Sequence, residues 1–164
     1  MLRDSLVTAV GIAELRVARS PGNLTVIGLG SCIGTCLYDP AACIGGIAHV
    51  MLPALINVRG NINRAKFGDT AVEALLEEML KTGAARSRII AKIAGGSHMF
   101  HIPDDRNSMK LGERNTASVK LALKKCHIPL VAEDTGGQHG RTIILDTATG
   151  FVVVKTINYG ERVI

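Results

Sequence analysis

Tryptophan is missing from this chain, and two tyrosines and three phenylalanines are the only other aromatics among its 164 residues. So few rings exclude a base-stacking platform for nucleic acid. A phosphate-tracking stripe is also missing: the 19 Lys and Arg outnumber the 14 Asp and Glu for a formal charge of +5, yet their longest run is Lys124-Lys125. Nucleic acid is therefore not an expected partner, and the excess of positive charge favours acidic partners only in a general way. Long apolar runs are lacking too. The longest mostly apolar stretch, Ile44 to Ile56, contains His49 and Pro53 and falls short of the ~18 residues that a membrane span requires. The opening Met1-Leu2-Arg3-Asp4-Ser5-Leu6 has no apolar run before a small-residue cleavage site, so a secretory signal is not visible, and a cytoplasmic protein without membrane insertion is expected. In that reducing setting the four cysteines read as thiols.

What is present is apolar surface: 47% of the residues are hydrophobic and only 20% are charged, with a mean hydropathy of +0.26. Such a chain buries enough area to offset its ordering entropy, so disorder is excluded and one globular domain over residues 1–164 is expected. The first half reads as strands: a first carrying Val10, Ile12, Leu15 and Val17, then Leu24 to Leu29, Ile33 to Tyr38 and Ile44 to Leu52. Thr70-Ala71-Val72-Glu73 has the spacing of a capping box, followed at helical intervals by Val72, Leu75, Leu76, Met79 and Leu80 and a stop at Gly83. Ile89 to Ala94 is strand-like, Ser97 to Lys110 is polar and loop-like, and a second helix is predicted from Gly112 to Cys126. Leu130 to Glu133 and a hairpin of Arg141 to Leu145 with Phe151 to Ile157, turning at Gly150, complete the pattern.

Chemistry concentrates at Gly28-Leu29-Gly30-Ser31-Cys32-Ile33-Gly34, which opens a predicted hairpin whose far strand contains His49. A four-residue loop from Asp39 to Ala42, closed by Tyr38 and Cys43, would set Cys32 opposite His49, with side chains close enough for a thiol–imidazole hydrogen bond. Gly34 and Gly45 would lie on that same face and leave a bare patch of sheet for a substrate. An imidazole-paired thiol should also alkylate well below the ordinary thiol range. The plainer reading makes Cys32 a small buried hydrophobe and His49 a satisfied core histidine.

Other groupings are less specific. Cys32, Cys36, Cys43 and His49 as a zinc set lack a C-x-x-C knuckle. Gly28-x-Gly30-x-x-x-Gly34 departs from the dinucleotide fingerprint and leads into a strand. His98 and His101 form an H-x-x-H pair with no third ligand nearby in sequence, and Glu133 and Asp134 are adjacent in a strand and so face opposite sides. Neither a metal nor an organic cofactor is expected.

Six segments, Gly28-Leu-Gly-Ser-Cys32, His49-Val-Met-Leu-Pro53, Asp69-Thr-Ala-Val72, Ala91-Lys-Ile-Ala-Gly-Gly96, Gly112-Glu-Arg-Asn115 and Glu133-Asp-Thr-Gly-Gly137, resemble in this order the chemoreceptor glutamine deamidase family, CheD. The resemblance implies an α/β fold, a single-domain layered sandwich of mixed, largely antiparallel sheet with two main helices. It also implies an enzyme, a protein-glutamine glutaminase, that converts glutamines of methyl-accepting chemotaxis receptors to glutamates through a cysteine thioester. Receptors and a CheC-type phosphatase are the implied partners, and an adaptor that binds them without turnover is the alternative. The family nucleophile falls on Cys32 and its histidine on His49. The backbone around Gly30, Ser31 and Ile33 is the expected oxyanion region. The family's third position, a threonine six residues before the cysteine, falls here on Val26. Thr25 is the neighbouring candidate, and strand alternation turns it to the other face unless the strand bulges.

Overall fold

The computed structural model describes residues 6–99 and 110–164. Within them the strands are β1 (Val7–Ala9), β2 (Leu15–Arg19), β3 (Asn23–Leu29), β4 (Ile33–Asp39), β5 (Ile44–Val50), β6 (Ile90–Gly95), β7 (Leu130–Thr135), β8 (Arg141–Leu145), β9 (Val152–Thr156) and β10 (Gly160–Val163). The two long helices are α1 (Gly68–Thr82) and α2 (Leu111–Lys125). The strands form two five-stranded sheets, ordered β1-β3-β8-β9-β10 and β2-β5-β4-β6-β7. Each sheet has one parallel pair, β1 with β3 and β6 with β7, and is otherwise antiparallel. The mixed, largely antiparallel sandwich with two main helices implied by the resemblance is the fold observed.

Side-chain alternation divides the interior into two layers of core. On β4 and β5, Ile33, Leu37, Ile44, Ala48 and Val50 pack with Val72, Leu75, Leu76 and Met79 of α1 and Val119 and Leu123 of α2. Their neighbours Cys36 and Ile47 point the other way, into a cluster with Leu24, Val26, Leu29, Ile143, Leu145, Val152 and Val154 from the other sheet. The order is therefore helices, sheet, sheet. Because the central strands are covered on both faces, every residue of β4 and β5 is buried, and these strands lack the polar alternation of half-exposed ones. Each fully buried Leu or Ile stabilises the sandwich by roughly 1.5–3 kcal/mol relative to exposure.

Two expectations require correction. Only the second half of the first predicted strand is a strand, β2, which pairs with β5; Val10 and Ile12 fall in the connection from the unpredicted β1, which pairs with β3, and there Ala13 adopts a left-handed φ of 61° in a turn where the Glu14 carboxylate accepts from the Gly11 amide. The capping box at Thr70 is not formed. The helix begins earlier, at Gly68, and the Thr70 hydroxyl donates instead to the carbonyls of Arg64 and Phe67 at 2.6 and 3.3 Å. Gly68 permits this start, since a β-carbon there would press on Ser118 of α2. β10 carried no periodic signal of its own. The stop at Gly83, with φ 112°, falls where the sequence placed it. Of the predicted loop from Ser97 to Lys110, residues 100–109 lie outside the described residues.

Candidate active site

Cys32 lies one residue before β4, and His49 is the penultimate residue of β5. The hairpin between these strands is closed by Asp39 and Ile44, so Gly34, not Cys32, lies opposite His49. The predicted register is displaced by two residues. Asp39 stays in the strand because its carboxylate accepts from the amides of Ala41 and Ala42 at 3.1 and 3.2 Å, and Cys43 enters the loop with a left-handed φ of 51°. A shift of two preserves the face of every side chain. Cys32 packs against the cluster between the sheets, one diagonal step from His49, a relation that sets such positions about 7–8 Å apart.

The backbone that carries the thiol is pinned on one side. Gly30 O accepts from the Ser97 amide at 2.9 Å, Ser31 O from Asn115 Nδ2 at 2.9 Å, and Cys32 O from the Gly96 amide at 2.9 Å. A trans peptide sets its N–H opposite its carbonyl, so the amides of Ser31, Cys32 and Ile33 are directed away from these three donors. Gly95, at φ 114°, is required for the approach: a β-carbon there would overlap the Cys32 carbonyl oxygen. Ser97 is in turn held by Arg141, a 3%-exposed residue whose guanidinium donates to Ser97 Oγ at 2.6 Å and pairs with Asp134 at 3.0 Å.

His49 is 3% exposed. Its Nδ1 lies 3.3 Å from the carbonyl of Val10. A carbonyl only accepts, so Nδ1 carries the proton and Nε2 keeps a free lone pair. Burial lowers the imidazole pKa, against the opposing pull of the Val10 and Gly11 backbone and of Glu14. Burial likewise raises the pKa of the Cys32 thiol, offset in part by a backbone hydrogen bond. At neutral pH both groups are therefore uncharged, which reverses the expectation of a thiol that ionises early. The bare patch is corrected as well: the space above Gly34 is taken by Ile143 and Leu29, and that above Gly45 by Leu145 and Thr147. Those glycines let the two sheets approach closely. The open side is the end of the sandwich, where Cys32 is partly exposed and Met99 lies against Gly30.

Thr25 is not brought to this group. β3 pairs regularly with β8 through Val26 and becomes irregular only between Val26 and Leu29, so alternation holds at Thr25. Its hydroxyl donates to the Ile143 carbonyl at 2.8 Å, while Val26 faces the inner layer at 0% exposure. The group that orients His49 is the Val10 carbonyl, which no side-chain motif could have announced.

The four zinc candidates are dispersed. Cys43 lies in the hairpin loop at the far end of β4 from Cys32, and Cys36 is buried with its pKa pushed up to about 12. Among the described residues no three His, Cys, Asp or Glu side chains are grouped to hold a metal ion. His101 lies outside the described residues. Glu133 and Asp134 diverge as alternation requires, the first to Lys120 and the second to Arg141 and Arg162.

Two stacked sheets with helices on one outer face, and a pinned cysteine turn and a buried histidine on the same inner face of neighbouring strands, define a layered α/β sandwich. A Neisseria meningitidis protein assigned to DUF152 has the same fold, with a TM-score of 0.55 at 11% identity over 85% of this chain and 74% of that one. The family model for CheD, chemotactic sensory transduction, matches residues 51–156. A probable chemoreceptor glutamine deamidase CheD from Caldanaerobacter subterraneus subsp. tengcongensis is 49% identical over 161 residues, covering 98% of this chain and 99% of the relative. Another so named, from Syntrophomonas wolfei, is 47% identical over 160 residues, 98% of this chain and 99% of that relative. The chain belongs to the CheD family. No helix among the described residues is long and apolar enough to cross a membrane.

Proposed function

We propose that this chain, acting as one domain over residues 1–164, deamidates glutamines of chemotaxis receptors in the cytoplasm, with Cys32 as nucleophile and His49 as general base. The observation that carries the reading is the pinned turn at Cys32, one diagonal step along the hairpin from a histidine whose Nδ1 is held by the Val10 carbonyl. The names of the relatives supply the substrate class.

Starting from the neutral pair, Nε2 of His49 takes the thiol proton as sulfur attacks the carboxamide carbon. The carbonyl oxygen of the substrate becomes an oxyanion, stabilised by the amides of Ser31 and Cys32, with Gly30 and Ile33 bounding the turn that aims them. His49 returns the proton to the departing nitrogen, ammonia leaves, and a thioester remains. Water, deprotonated by His49, then attacks the thioester carbon, releasing glutamate and restoring the thiol. Every proton moves through one imidazole, and neither a cofactor nor an external oxidant takes part.

Intact-mass measurement on a receptor fragment tests this reading. The parent should convert the amide to the acid, and Cys32→Ala should abolish conversion while melting close to the parent. Undiminished conversion by Cys32→Ala sinks the assignment. One observation favours the adaptor alternative, in which receptors and a CheC-type phosphatase are bound without turnover: the family's threonine position is held by Val26, and the neighbouring hydroxyl of Thr25 is engaged elsewhere. A parent that binds the fragment without converting it, and gains turnover as Val26→Thr, would establish that alternative.

A further inference from the structure

We propose that Asn115 is a positioning residue of this site, holding the cysteine turn and the histidine strand at a fixed separation. The inference rests on the assignment of Cys32 and His49 proposed above.

Asn115 sits on α2, is 0% exposed, and presents its amide nitrogen to two carbonyls that no strand ladder joins. One is Ser31 O, at 2.9 Å, in the residue before Cys32; the other is Met51 O, at 3.1 Å, two residues beyond His49. A single NH2 group thus spans the gap between the end of β5 and the start of β4, on the side opposite the Ser31–Cys32 peptide N–H. Two acceptors so placed require a donor with two hydrogens, and among short side chains an asparagine amide supplies both from one atom. No donor among the described residues reaches Asn115 Oδ1, so the side chain acts here through its nitrogen.

The approach of the helix is built for this contact. A β-carbon at Gly112 would overlap the Gly96 carbonyl, so the first turn of α2 rests directly on the backbone that follows β6. Asn115 follows three residues later on the same face. The Gly112-Glu-Arg-Asn115 segment therefore has a physical reading: the glycine seats the helix and the asparagine uses the position to hold the turn. Buried acceptors left without a donor are strongly disfavoured, so loss of this amide should let the turn and the strand drift apart. A displacement of about 1 Å at reacting groups lowers turnover by about a hundredfold.

Two variants test the proposal. Asn115→Leu keeps the bulk without donors, and Asn115→Asp keeps the shape but turns acceptor oxygens toward acceptor carbonyls. Each is compared with the parent by circular-dichroism melting, by kcat and KM on a receptor fragment, and by the rate of iodoacetamide labelling of Cys32 located by peptide mass. The expected result is a folded protein with kcat lowered about ten- to a hundredfold, KM within about twofold, and Cys32 labelling several times faster as the turn loosens. A folded variant with kcat within twofold of the parent, or with only KM raised, overturns the proposal. Failure of both variants to fold also overturns it, since Asn115 would then be a folding determinant. A parent that never deamidates would sink the catalytic reading instead, and the labelling rate would still decide whether Asn115 holds the turn.

Discussion

At the scale of single residues, burial acts on Cys32 and His49 in opposite directions on the pH axis. The thiol is raised from an ordinary 9.0 and the imidazole is lowered from 6.5. The uncharged pair therefore persists over a wider pH interval than either isolated group would give. The dependence of kcat/KM on pH for the free enzyme should show a broad plateau, its acid limb below 6.5 and its alkaline limb above 9.0. A narrow bell centred below neutrality would instead indicate a thiolate–imidazolium pair. Thr25 makes a separate prediction. Its hydroxyl bonds the Ile143 carbonyl on the strand beside it, so Thr25→Val should lower stability by about 1 kcal/mol and leave the deamidation rate within about twofold. A crippled rate without loss of stability would return Thr25 to the site.

At the scale of elements, the β4–β5 hairpin depends on Asp39. Its carboxylate receives Arg88 in a two-pronged pair at 2.9 and 2.8 Å, the Ala85 amide at 2.8 Å, and the two loop amides that close the turn. The Arg88 hydrogen bonds, opposed by burial, hold the carboxyl down at about 2 against an ordinary 3.8. A depressed carboxyl contributes stability that is complete above its unfolded pKa and is lost as pH falls toward the folded one. Melting temperature should accordingly drop between pH 4 and pH 2, a window set by those two values, and Asp39→Asn should melt lower at neutral pH with a shallower slope through that window. An unchanged slope would show that other carboxyls govern acid unfolding. The same residue sets the register that moves Cys32 off direct opposition to His49, so hairpin stability and site geometry have a common origin.

At the scale of the whole molecule, the inner layer between the sheets is sealed. Cys36 lies within it at 2% exposure, its pKa raised by burial to about 12 despite the nearby Lys92 ammonium. Lys92 is occupied in tying the layers together, donating to the Gly150 and Ile164 carbonyls at 2.9 and 2.7 Å. Exposure of the Cys36 thiol requires the two sheets to separate, which is the global transition. Labelling of Cys36 should therefore follow the unfolding equilibrium measured in denaturant, whereas Cys32 should label in the native state. Rapid native labelling of Cys36 would mean that the sheets part locally.

Local pattern alone determined much of this protein. The apolar faces of α1 and α2, the strands at Leu24, Ile33 and Ile44, the stop at Gly83 and the β8–β9 hairpin are set by side-chain period and by residues with special backbone freedom, and these act over a few positions. The ordered motifs, Gly28 to Cys32 and His49 to Pro53 among them, were sufficient to identify the family. Tertiary structure decided the rest. That Val7–Ala9 and Leu15–Arg19 are strands while Val10 and Ile12 are not depended on which sheet edges were available to pair, and β10 exists only because β9 offers it an edge. The register of β4 on β5 depended on Arg88 and Ala85, more than forty residues away from Asp39 in sequence. The support of His49 by the Val10 carbonyl and the bridge of Asn115 between Ser31 and Met51 rest on backbone acceptors, which every residue carries, so only the packing of distant segments could select them.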